Sequence, residues 1–485
     1  MESAAVLGDN SEGTQDYVSF VGHHDESVQE NLNHERENDH EISMACSDRR
    51  SGSSWYASSL IVMNACLGAG ILNLPWAFNR AGGIVSAMAV NVVLMLFSIG
   101  SALLLGWSSD LAKRDNYQDS ISQMCGKWIG RACSCLIAVY TYSTCITFLI
   151  VIGDQSDRLL FDKLGVDVFC SHWYFDRRFI VCLLSVGLIL PLCFFRSIDS
   201  LKYISGVATL SVLYLVLLTV VAYFQADHSK VVVVTSPRSW TDVLGAIPSI
   251  AFGYQCHVSA VPVYSCIEPR NLRSFAKTIS LAFLACFATY TCVGSFGYLA
   301  YGVNVQGDLL SSMSTDNWAF AIGYVTFAIK TFLTYPIVQF CGRLSIISLF
   351  ADCFGIMLSD RVSRIVIPTL WFVTSLIVAV LAPDMSAVID FLGFLAVAFI
   401  FVFPGLSWLC YELRRVEQHP PNASYLNWRI CVVIMFVAFG AFLLGLTLAQ
   451  TIEYAVSGLT GGKAKHSHKF CDQMLQLGIY YQPSG

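Results

Sequence analysis

Three small residues in a row, Gly68-Ala69-Gly70, lie inside the apolar run MNACLGAGILNLPWAF (63–78), with Pro75 just beyond. A second run, IPSIAFGYQCHVSAVPVY (247–264), is interrupted by Gly253 and the polar Gln255-Cys256-His257, between Pro248 and Pro262. A helix that stops in an apolar medium leaves free N–H groups at one new end and free C=O groups at the other. The N–H end carries roughly half a positive charge and takes a carboxylate, while free carbonyls suit an ammonium group or Na⁺. One broken helix therefore matches both poles of an amino acid head group. Gly68 and Gly70 let a ligand approach the backbone where no Cβ intervenes. A single Gly-x-Gly could instead serve close helix packing; two interrupted runs, in corresponding places, point to a site.

The polar side chains within reach of such a site are Asn64, Ser143, Thr144, Thr147, Gln255, His257, Thr331 and Thr334. Tyr140, Ser143 or Thr144, and Thr147 share one helix face at i, i+3/i+4, i+7 spacing. That face either hydrogen-bonds a ligand side chain or satisfies its own helix carbonyls. His257 is either a structural polar group in the bundle or a pH-sensing one. Lys330 and Asp390 are the other groups of clear charge well inside apolar runs, each costing about 3 kcal/mol at a helix centre. Each should face the interior with a partner, and a Lys330–Asp390 pair is within reach. Lys330 precedes Thr334 by four residues and shares its face. If Thr334 helps to bind a coupling cation, the Lys330 ammonium can take that place; otherwise Lys330 snorkels into a wet vestibule.

The elements that must position these residues are membrane spans. The chain is 55% hydrophobic and 13% charged, against about 45–50% and about 25% in soluble domains. Eleven runs are long enough to cross a bilayer, near 55–78, 84–109, 132–152, 179–195, 203–224, 243–266, 278–301, 318–342, 365–382, 385–410 and 430–452. In lipid every backbone polar group must be satisfied, so unwound backbone survives only where it lines a cavity or binds something. The breaks fall in the first and sixth runs, as expected where two five-helix repeats of inverted topology build a midplane site. With the N-terminus in the cytosol, most of the 29 Lys and Arg residues fall on the cytosolic side, which is the charge bias that sets orientation.

The expected organisation is a disordered cytosolic tail (1–53), a first repeat (54–224), a second repeat (243–412), an eleventh helix (430–452) and a lumenal or extracellular tail (456–485). Residues 1–53 are polar, acidic and rich in Asn, Ser, Glu and His, a composition unable to bury a core. Of 18 cysteines, only Cys170 and Cys471 reach the oxidising side in this topology, so one bridge is available. The acceptor Asn422-Ala423-Ser424 is placed in the cytosol and expected to stay unglycosylated. Tyr17-Val18-Ser19-Phe20 has the YxxΦ form read by sorting adaptors.

Several stretches carry a resemblance: NACLGAGILNLPWAF (64–78), AVYTYSTCITFLIVIGDQSD (138–157), AFGYQCHVSAVPVY (251–264), TYPIVQFCGR (334–343) and FIFVFPGL (399–406). Across 55 to about 452 the chain resembles the sodium-coupled neutral amino acid transporters of the amino acid/auxin permease superfamily. The nearest likeness is to the lysosomal branch that prefers glutamine and asparagine. The resemblance implies an all-α, leucine-transporter-type 5+5 fold, with spans one, two, six and seven moving against a scaffold around one midplane site. By position it implies that Asn64 and Thr334 surround sodium. It also implies that the Leu67, Gly68, Ala69 and Gly70 backbone cradles the substrate head group, with Gly253, Gln255, Cys256 and His257 in the sixth-span motif. Lys330 and Asp390 depart from the pattern, where uncharged residues are expected.

The function expected is secondary transport of small neutral amino acids, glutamine- or asparagine-like, by alternating access. Sodium is the coupling ion expected first, with Asn64, Thr331 and Thr334 around it; proton-linked or sodium-independent transport follows if Lys330 fills that place. The competing readings are an amino-acid receptor that signals through the tail, and an enzyme. No two-aspartate, HExxH or nucleophile-and-base pattern supports the enzyme. The lysosomal membrane and the plasma membrane are the two locations considered. Neither a cofactor nor a nucleic-acid partner is expected.

Overall fold

A computed structural model describes residues 53–194, 202–313, 317–355, 358–359, 361–381, 385–418 and 423–460. The Tyr17–Phe20 motif, Asn422 and Cys471 lie outside them. The described chain is helical; its only β pairing is an isolated bridge between Ser53 and Ile267.

Among the described residues, eight helices are each long and apolar enough to cross a membrane, and the first span, counted as one bent pair, makes nine. Two more spans fall short of that length among the described residues. The fourth runs through Arg177–Leu184, a π turn at Ser185–Ile189 and Leu190–Leu192, up to the edge of the described residues. The sixth is divided into Ile247–Gly253 and His257–Ser265. With these the described residues hold eleven segments, the two broken ones at the expected places.

Proline and glycine explain both breaks. The first helix, Trp55–Cys66, ends with Leu67 outside helical geometry and Gly68 extended. The chain resumes as a tight 3₁₀ turn, Ala69–Asn73, and then Leu74–Arg80, with Pro75 in the first turn, where its missing N–H costs nothing. The two halves meet at 55°. In the sixth span Pro248 likewise opens the first half, and Pro262 sits inside the second.

Around these lie Ile84–Ala112 (second), Lys127–Leu164 (third), Lys202–Gln225 (fifth), Leu272–Tyr301 (seventh) and Trp318–Phe354 (eighth). The ninth ends in Ile367–Leu381, the tenth passes through Met385–Val397, a π turn and Phe403–Gln418, and the eleventh is Ala423–Thr460. The tenth span meets the first half of the sixth at Gly393, where a Cβ would stand 2.2 Å from the Pro248 carbonyl oxygen. At the other end of the bundle, Ser53 N–H donates to Cys266 O (2.9 Å) and Glu268 N–H to Ser53 O (3.0 Å). The first span thus begins pinned to the end of the sixth.

One expectation on cysteines is corrected. Cys170 is disulfide-bonded, as its position on the outer side allows, but so is Cys266, which the expected topology places away from oxidising conditions. Most of the other described cysteines pack inside the helices as free thiols.

Candidate functional site

The breaks of the first and sixth spans face each other. A Cβ on Gly70 would lie 2.8 Å from Phe252 Cδ1, and 3.7 Å from the Gly253 Cα. Gly68 is different: a Cβ there would find only the Cys66 carbonyl, at 3.9 Å, so that position opens onto space.

The free carbonyls at these breaks are already engaged by the chain itself. Lys330 Nζ donates to Leu67 O, its head also lying 4.7 Å from the centre of the Phe327 ring. Tyr290, fully buried on the seventh span, brings its hydroxyl 2.9 Å from Cys66 O and 2.6 Å from Gly253 O. The N–H ends are not consumed in the same way. Ala69 and Gly70 open a 3₁₀ turn, and the first N–H groups of any helix lack intrahelical partners.

The expected Lys330–Asp390 pair does not form. Asp390 is buried near the outer end of the tenth span and receives Arg80 Nη1 at 2.7 Å. Arg80 terminates the first span beside it, whereas Lys330 reaches the break itself, at Leu67 O. In the sequence Arg80 is one outer basic residue among several, with nothing to single it out.

Other expected site residues divide into two groups. Thr144 and Thr147 donate to Tyr140 O (2.8 Å) and Ser143 O (3.0 Å), and Thr331 and Thr334 to Phe327 O (2.8 Å) and Lys330 O (2.7 Å). These are bonds to their own helix four residues back, so those hydroxyl protons are committed. Ser143 is buried on the same face as Thr147. In the second group, Asn64 Oδ1 and Gln255 Nε2 are buried without a partner among the described residues. Such groups are costly unless something bonds them. Gln255 Oε1 meets His257 Nδ1 at 3.2 Å, while His257 Nε2 lies 2.7 Å from Ser101 Oγ and 3.3 Å from Ser98 O. Both ring nitrogens are therefore held between the second span and the sixth-span break.

The loop between the seventh and eighth spans covers the end of the bundle that the expected topology places outside. Leu309 N–H donates to Leu72 O (3.0 Å), and Asn73 Nδ2 to Gly307 O (2.9 Å) and Ser386 Oγ (3.3 Å). The loop tip thus descends to the turn just beyond the first break, and Arg80–Asp390 closes the rim beside it. Asp308, at that tip, is buried, and burial raises its carboxyl from the usual range to about 7. The nearby Asp154 raises it further, against the Leu310 and Ser311 N–H groups, which lower it.

The comparisons with known proteins bear on this geometry. Residues 51–452 match the model of the family described as transmembrane amino acid transporter protein. The chain belongs to this family. It is 36% identical to sodium-coupled neutral amino acid transporter 7 of Danio rerio over 84% of this chain and 88% of that protein. It is 36% identical to solute carrier family 38 member 8 of Homo sapiens, over 81% and 92%. Among solved structures, MhsT in complex with L-phenylalanine superposes with a TM-score of 0.53 at 11% identity, covering 83% of this chain and all (100%) of that one. A mutant of the Eremococcus coleocola manganese transporter gives 0.50 at 13% identity, over 88% and 93%. At such identities the likeness is one of fold: the leucine-transporter type, with helices one and six broken. As a family member the protein is an amino acid transporter and not an enzyme.

Proposed function

We propose that this protein carries small neutral amino acids, glutamine- or asparagine-like, with the Lys330 ammonium in the place where its relatives' names imply sodium. The observation that carries this reading is the Lys330 Nζ–Leu67 O bond. A fixed ammonium on the free carbonyl of the first break satisfies it without a bound ion and repels a second cation nearby. The substrate carboxylate goes to the Ala69 and Gly70 N–H groups, where the helix end favours an anion. The unpartnered Gln255 Nε2 offers a donor to a side-chain carbonyl, which suits a carboxamide.

Sodium coupling is the second reading, favoured by the unpartnered Asn64 Oδ1 and by the names of the relatives. Glutamine uptake into proteoliposomes, with and without a sodium gradient at fixed pH, separates the two. Uptake indifferent to sodium in the parent, with Lys330→Ala changing the ion dependence, supports the Lys330 reading. A sodium-driven parent whose ion profile survives Lys330→Ala would refute it. Binding without uptake under either gradient would favour a receptor.

A further inference from the structure

The Tyr290 hydroxyl stands between the two broken helices. A phenol carries one proton, yet two carbonyl oxygens converge on Tyr290 Oη, Cys66 O at 2.9 Å and Gly253 O at 2.6 Å. They belong to different broken helices. Cys66 O also accepts the Gly68 N–H at 2.7 Å, so it is Gly253 O that depends on the hydroxyl, and a buried carbonyl left without its donor costs free energy. Packing fixes the ring between them. It lies edge-on to Tyr254 with centroids 5.3 Å apart, and against Gly253, whose absent Cβ would stand 3.2 Å from Tyr290 Cε2.

We infer that Tyr290 is a positioning residue of the transport cycle, its single hydroxyl proton holding the carbonyl ends of the two broken helices in register around the substrate head group. A carbonyl has two lone pairs, so each of these oxygens, held in place by its present donor, keeps an acceptor site for the substrate's ammonium. Without the hydroxyl, two carbonyls that each lie within 2.9 Å of one point are left facing each other. A monovalent cation of sodium's size can bridge such a pair. This inference rests on the head-group placement proposed above, but not on the role given to Lys330.

The test uses purified full-length protein in liposomes, comparing parent, Tyr290→Phe and Lys330→Ala in sodium and choline salts. Tyr290→Phe keeps the ring and removes the hydroxyl. In choline its KM for glutamine is expected to rise about tenfold, the scale of one hydrogen bond, with a smaller change in kcat. Added sodium should lower that KM and raise the melting temperature of Tyr290→Phe, with no such shift in the parent. A Tyr290→Phe protein with parental KM and melting behaviour in both salts overturns the inference and leaves the Lys330 reading standing. A parent that itself responds to sodium counts against the Lys330 reading; the Tyr290 inference then stands or falls on whether Tyr290→Phe raises KM at saturating sodium. If Tyr290→Phe does not fold, Gly253→Ala displaces the ring by a few tenths of an ångström. An unchanged KM in that variant also overturns the inference.

Discussion

Gly68 and Gly70 lie two residues apart and predict different failures. At Gly70 an added side chain meets the Phe252 ring, so Gly70→Val should force the two breaks apart and abolish uptake while leaving protein that still folds. Gly68 has space before it, so Gly68→Ala should leave thermal stability unchanged and act only by filling room the head group needs. Its expected signature is a raised KM at constant melting temperature; an unaltered KM would place the substrate elsewhere. The two glycines were legible in the sequence, because Gly and Pro inside an apolar run mark backbone that cannot stay helical. Tyr290 was not. It is one of 21 tyrosines, and its acceptors lie 224 and 37 residues away in the chain, so nothing local singles it out. The threonines of the third and eighth spans were visible as a face, but spacing alone does not say whether a hydroxyl turns to a ligand or back to its own helix.

Among the elements, the loop between the seventh and eighth spans has its own chemistry. Asp308 is held near Asp154 and Tyr324, and Tyr324 in turn faces Arg158, Asp162 and Tyr301, with Arg177 bridging Asp154 and Asp157. With the loop seated, the carboxyl titrates at about 7; lifted into water, it returns to the ordinary range near 3.9. The seated form therefore holds its proton more tightly. Its advantage is complete below the ordinary value, fades as pH rises, and is gone above about 7. Acid on the outer side should keep the loop closed, and accessibility of the outer pathway should rise between pH 4 and pH 7, read by thiol labelling of an introduced cysteine. Asp308→Asn should flatten that dependence; a parental profile in the variant would refute it. Arg80→Ala attacks the neighbouring rim. Removing Arg80, itself 21% exposed, takes a charge-assisted bond from the buried Asp390, a loss of about 1.5–3 kcal/mol, so the variant should melt earlier and label more readily at the outer face. The rim pair was half legible, since Asp390 stood out as a charge within a span but its depth relative to Arg80 required the fold.

For the molecule as a whole, the span count and the two breaks were readable because lipid permits so few backbone solutions. The packing between spans was not, since it depends on single small residues such as Gly393. There an added methyl group meets Pro248 backbone at 2.2 Å, and backbone cannot step aside as a flexible side chain can. Gly393→Ala should hence separate the sixth and tenth spans, lowering the melting temperature and biasing the protein toward an open outer side. At the opposite end, Ser53 is stitched by backbone bonds to Cys266 and Glu268. This ties the entry of the first span to the end of the sixth, so whatever holds Ser53 holds both broken spans. Anything that grips those residues more firmly in one stage of the cycle does work on the substrate site. By thermodynamic reciprocity, amino acid in the site alters that grip by the same factor. Carrier and sensor are then two ends of one linkage, and the supply of amino acid can be read by a protein that never touches it.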